Sequence, residues 1–123
     1  MIKGLLRIWV LLYSTIAFGQ QNEFHKLCTE INNSIKPLGV IDCNSGTKEV
    51  YMSSIVVRRE FSNTEYKSYL HEISNSDCNR GYGTIKLLRG LSPYDSIYQS
   101  YEFILKNMDK VSDKIAYVIC KIE

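Results

Sequence analysis

Four cysteines and two histidines are the residues of this chain whose types reach beyond packing into chemistry. Cys28, Cys43, Cys78 and Cys120 contain no C-x-x-C pair, so neither a zinc ribbon nor a thioredoxin-like redox site is indicated. An even number of cysteines in a short exported chain predicts two disulfides. Three pairings fit the count. The favoured one joins Cys28 with Cys120 and Cys43 with Cys78. It sets Cys28, on the apolar face of a predicted helix, against Cys120 in a predicted terminal strand, and leaves Cys43 and Cys78 in turn-like surroundings. His25 and Cys28 are three apart and could offer two metal ligands on one helix face. No further ligand is marked, so Cys28 reads as a half-cystine, His25 as an edge residue, and no metal or cofactor is assigned.

His71 stands beside Glu72 on what reads as a second helix. Adjacent helical residues diverge by about 100 degrees, so the two form no dyad by themselves. His71 would become a general base only with a carboxylate brought from elsewhere, and it reads as a solvated flank residue. No nucleophile elbow, H-E-x-x-H, Walker loop or EF-hand loop is present. Gly81-Tyr82-Gly83 precedes a strand, whereas a dinucleotide fingerprint follows one, and its glycines read as turn residues. No catalytic residue is assigned.

Tyrosine is the unusual residue. Eight of the nine lie beyond position 19, and tyrosine is enriched at recognition surfaces. Tyr94, Tyr98 and Tyr101 fall within two turns of one predicted helix and are the candidate binding residues. Arg58, Arg59, Lys86 and Arg89 border the same predicted sheet. With exposed tyrosines they suit an anionic or carbohydrate contact.

Residues 1–19 read as a signal peptide. Lys3 and Arg7 give a positive start, residues 8–18 an uncharged apolar run, and Ala17-Phe18-Gly19 small residues at the cleavage positions before Gln20. The run is shorter than the ~20 residues of a membrane-spanning helix, so no stable span is expected after cleavage. Beyond it the chain carries thirteen basic and thirteen acidic residues. Neutrality excludes a general nucleic-acid binder. The apolar fraction of 45% and charged fraction of 23% are globular values and exclude a disordered chain. Residues 20–123 fit one small domain. Asn32-Asn33-Ser34 is a glycosylation sequon, placed unfavourably inside a helix.

The elements that must position these residues follow from periodicity. Asn22 to Lys36 reads as a helix with Phe24, Leu27, Cys28, Ile31 and Ile35 in one stripe, capped by Asn22 and stopped by Pro37. Gly39 to Cys43 and Lys48 to Arg58 read as a hairpin around Asn44-Ser45-Gly46. Ser62-Asn63-Thr64-Glu65 matches a capping box and predicts a helix carrying Tyr66, Tyr69, Leu70 and Ile73, ended by the polar cluster at residues 74–77. Tyr82 to Arg89 alternates as a strand. Ser92-Pro93-Tyr94-Asp95 reads as a second helix start, with a stripe of Ile97, Tyr98, Tyr101, Ile104, Leu105 and Met108. Lys114 to Ile122 reads as a final strand. The expectation is an α+β domain in the broad α/β sense. It has a three- or four-stranded mixed or antiparallel sheet with about three helices mainly on one face, stapled by disulfides.

The function that fits is a small exported binding module, periplasmic or secreted, that recognises a protein or polymer partner in the manner of an inhibitor or immunity protein. A small secreted hydrolase, with His71 and a distant carboxylate, is the alternative enzyme reading. A structural, envelope-associated component is the third.

Overall fold

The computed structural model describes residues 23–62 and 65–123. The signal segment, Trp9, the Asn22 cap and the central Asn63-Thr64 of the first capping box lie outside the described residues. Helix α1 spans residues 23–35. There follow β1 (Gly39–Lys48), β2 (Met52–Ser62), β3 (Glu65–Ser74), α2 (Asn75–Arg80), β4 (Tyr82–Leu88), β5 (Ile97–Ile104) and α3 (Val111–Cys120). The strands form one antiparallel sheet in the order β1-β2-β3-β4-β5. The domain is therefore α+β, with five strands rather than three or four.

Two of the five strands, β3 and β5, fall where the sequence predicts helices. In β3, Tyr69 and Ile73 satisfy a spacing of two as well as one of four. The β2 ladder, running from Met52↔Ser74 to Glu60↔Tyr66, decides for the strand. Ser62 pairs with Glu65, so the chain reverses there instead of starting a helix. In β5 the helical stripe leaves out Phe103, yet Phe103 is buried in the core. The capping contacts at Ser92 do form: the Asp95 carboxylate accepts from the Ser92 N–H at 3.0 Å and Ser92 Oγ from the Tyr94 N–H at 3.2 Å. They close a single turn, after which the chain leaves as a strand.

Where the sequence predicts a final strand, the chain forms helix α3. Its β-branched residues suggest a strand, but Ile115, Ala116, Val118 and Ile119 are buried at helical spacing. Asp113 holds its start, accepting backbone N–H groups from Ile104 (2.9 Å), Lys110 (3.1 Å) and Asp109 (3.2 Å). Burial raises the Asp113 pKa, but these three bonds and the nearby Lys110 together carry it below the ordinary aspartate value. The polar cluster at residues 74–77 begins a helix instead of ending one. Ser74 caps α2 by accepting from the Asp77 N–H at 3.1 Å, and Gly81 closes it in the left-handed region at φ 86°.

The cysteines pair as Cys28–Cys43 and Cys78–Cys120, not as expected. Residues 111–120 are helical, and Cys120 at the end of α3 meets Cys78 of α2. The first bond ties α1 to β1 and the second ties α2 to α3, and no described cysteine is free. Loops of these lengths correspond to roughly 3–4 kcal/mol each in the chain-entropy model. Such bonds fit an oxidising compartment. None of the described helices is long and apolar enough to cross a membrane.

The hairpin stands where expected, with its turn displaced. Asn44-Ser45-Gly46 forms an irregularity within β1, where the register shifts between Asp42 and Thr47. Ser45 Oγ accepts the Val56 N–H there at 2.8 Å. The approach at Gly46 is close: a Cβ would stand 3.1 Å from Ile122 Cδ1, which would have to shift by a few tenths of an ångström. Asn32, the sequon residue, clamps α1 to β1. Its amide donates to the Ile41 carbonyl at 3.0 Å and accepts the Ile41 N–H at 2.6 Å. The core lies between the helices and one sheet face. Cys28, Ile31 and Ile35 of α1 and Ile115, Val118 and Ile119 of α3 meet Ile41, Ile55, Val57, Ile73, Ile85, Leu87 and Phe103.

Candidate functional site

Residues paired across an antiparallel sheet share a face. The pairings Val57↔Tyr69, Ile55↔His71, His71↔Leu87, Leu87↔Gln99 and Ile85↔Tyr101 therefore put Arg59, Tyr69, His71, Gln99 and Tyr101 on the face that carries the core. Towards Arg59 the apolar residues give way to tyrosine and arginine. The register shift between Leu87 and Leu88 is a bulge; it turns Tyr98 onto this face as well, where its ring stacks on Tyr69 with centroids 5.3 Å apart and planes 2° apart. The Arg89 guanidinium covers Tyr98 at 5.2 Å, and that of Arg59 lies 5.3 Å from the Tyr101 centroid. Tyr101 also hydrogen-bonds Gln99 through its hydroxyl. Arg59 and Tyr101 stand on strands separated by two others, so their long side chains reach towards each other over β3 and β4.

His71 forms the floor of this platform. Arg59 Nε–H donates to His71 Nε2 at 3.1 Å, and His71 Nδ1 lies 2.9 Å from the Tyr69 carbonyl. Arginine has no acceptor, so Nε2 is bare and Nδ1 carries the proton. Burial, and then the Arg59 charge, push the His71 pKa down to about 3, against the pull of the Tyr69 carbonyl. His71 is thus a neutral, buried strand residue and not a solvated helix-flank one. With both ring nitrogens engaged it orients Arg59, and the hydrolase reading loses its candidate base. Burial also lowers the Arg59 pKa from its ordinary value, opposed by Tyr101. Arg59 Nη2 is buried and, among the described residues, meets no acceptor. An unsatisfied buried donor of this kind costs about 1–3 kcal/mol.

The candidate residues divide. Tyr98 and Tyr101 come together as expected, on one strand instead of one helix. Tyr94 does not join them; it lies in the β4–β5 turn at 95% exposure. Arg59 and Arg89 belong to the platform. Arg58 lies on the opposite face over Tyr66, at 5.3 Å, and Lys86 pairs there with Glu72. Burial raises the Glu72 pKa while Lys86 lowers it. Tyr69, Gln99 and the buried role of His71 are additions from the structure. Reading residues 65–74 with a period of two would have placed Tyr69 and His71 on one face.

His25 lies apart, in a cleft of ≈ 930 Å³ lined also by Glu23, Phe24, Tyr117, Lys121 and Ile122. Its ring meets Phe24 edge-on. Among the described residues no group of three or more His, Cys, Asp or Glu is arranged to hold a metal ion. Comparisons with protein families, with curated proteins and with solved structures find no match for this chain.

Proposed function

We propose that the protein is a small exported binding module that recognises a protein or polymer partner through the tyrosine–arginine platform. The observation that carries this reading is the layered arrangement of Tyr69, Tyr98 and Arg89 beside Tyr101 and Arg59. Aromatic and arginine side chains dominate binding energy at interfaces. Here they are held at an exposed sheet end by stacking and hydrogen bonds, so little side-chain freedom remains to be lost on binding. The two disulfides and the amino-terminal segment support export.

A photo-crosslinking residue at position 98, compared with one at the exposed Tyr51, tests the surface. In extract from the native source, position 98 should yield a discrete adduct that position 51 does not. Equal labelling from both positions, or none from 98, would overturn the reading. The intact mass of the exported protein should begin at Gln20, with no thiol alkylated before reduction.

A further inference from the structure

The platform borders a strand edge that is only half covered. β5 is last in the sheet order, and the Leu105 N–H bond to the Gly81 carbonyl at 2.9 Å sets the phase of its ladder. Odd-numbered residues bond inward to β4, so the backbone groups of Ser100, Glu102 and Ile104 point outward. Helix α3 meets two of these: Ser112 Oγ donates to the Glu102 carbonyl at 3.2 Å, and Asp113 accepts the Ile104 N–H at 2.9 Å. The cover ends there. Among the described residues nothing pairs with the N–H and carbonyl of Ser100. The residues around it, Ile97 to Tyr101, include neither lysine nor proline, the usual guards of a natural edge.

A strand added at Ser100 would exchange two hydrogen bonds with that residue. Its neighbours on either side would point to the platform face, opposite Gln99 and Tyr101. Positive charge predominates there: Arg59, Arg89 and Lys67 lie on this face by alternation, with Glu65 at the hairpin end beyond Lys67. The Nη2 of Arg59 is buried and lacks an acceptor among the described residues, while its guanidinium lies against the ring of Tyr101 and Arg59 as a whole is part-exposed.

Resting on the proposed binding function, we propose that the open end of β5 takes an extended acidic segment of a partner protein as a sixth strand. The segment exchanges backbone hydrogen bonds with Ser100 and sets carboxylates from alternate residues against Arg89 and Arg59. Backbone pairing supplies affinity, and the alternating acids supply specificity. A polysaccharide acid would satisfy the arginines but not the strand edge.

Calorimetric titration of the mature protein with the capped peptide Thr-Glu-Val-Glu-Val-Glu-Thr tests this. Its lysine counterpart and polygalacturonate are the comparison probes. The acidic peptide should bind and the lysine peptide should not. Ser100→Pro removes only an outward N–H, a substitution that edges tolerate; it should weaken binding about tenfold or more. The pair Arg59→Gln with Arg89→Gln should do the same. Should Ser100→Pro fail to fold, N-methylation of the peptide at both valines replaces it and should also abolish binding. Binding indifferent to Ser100→Pro and to N-methylation, or absence of binding at millimolar peptide, overturns the proposal. Arginine-dependent binding of polygalacturonate without peptide binding also overturns it, while leaving the platform as a binding surface.

Discussion

One face of one sheet carries two different solutions. Where α1 and α3 lie over it, Ile55, Val57, Ile73, Ile85 and Phe103 fill the space and the only requirement is shape. A few residues further along the same strands, Tyr69, Tyr98, Tyr101 and Arg59 stand in their place. Each keeps a polar tip, and arginine covers two of the rings. Both halves obey the same alternation. The first converts burial into stability; the second leaves aromatic surface in reach of solvent and contributes correspondingly less.

The sharpest way to break this contrast is Phe103→Ala. The ring is fully enclosed, and its loss should cost about 3–5 kcal/mol, read as a lower urea midpoint. A cost below about 1 kcal/mol would mean that the helix-covered half is not a close-packed core. The boundary between the halves is tested by pH. With a folded pKa of about 3 and an ordinary value near 6.5, His71 binds a proton in the unfolded chain but not in the native one across that interval. Stability should therefore fall as the pH drops from about 6.5 towards 3, by up to about 1.4 kcal/mol per pH unit. His71→Gln keeps a donor and an acceptor, and should flatten the slope between pH 6.5 and 4.5 in urea melts. An unchanged slope would place the proton elsewhere. The smallest effect belongs to the open half: Tyr98→Ser should lower stability by about 1 kcal/mol or less, the scale of a stacked aromatic pair. A loss as large as that of Phe103→Ala would make the platform a second core.

Much of the first half of the chain is legible in its residues. Helix α1 has a stripe and a Pro stop, and β1 and β2 show their β-branched residues between turn signals. The elements that depart from the sequence pattern share a cause. In β3 and β5, tyrosines and isoleucines fall where a period of four and a period of two coincide, and only the neighbouring ladder separates them. In α3 the β-branched residues argue for a strand until the Asp113 carboxylate is recognised as the group that holds the helix start. For the site, tyrosine content and the nearby arginines are visible as composition. The link of Arg59 through His71 to Tyr69 spans strands whose pairing no local pattern reveals. Tyr98 reaches the platform through a bulge, which likewise leaves no mark in the residues around it.

The two disulfides have a consequence for how the molecule is made. Cys28 joins Cys43 and Cys78 joins Cys120, so the cysteines pair in the order in which they emerge during synthesis. The two loops neither overlap nor nest. An oxidant acting on the chain as it emerges, joining each cysteine to the next, makes only native bonds. Maturation should then proceed without a disulfide isomerase, and the first crosslink can close before the sheet exists.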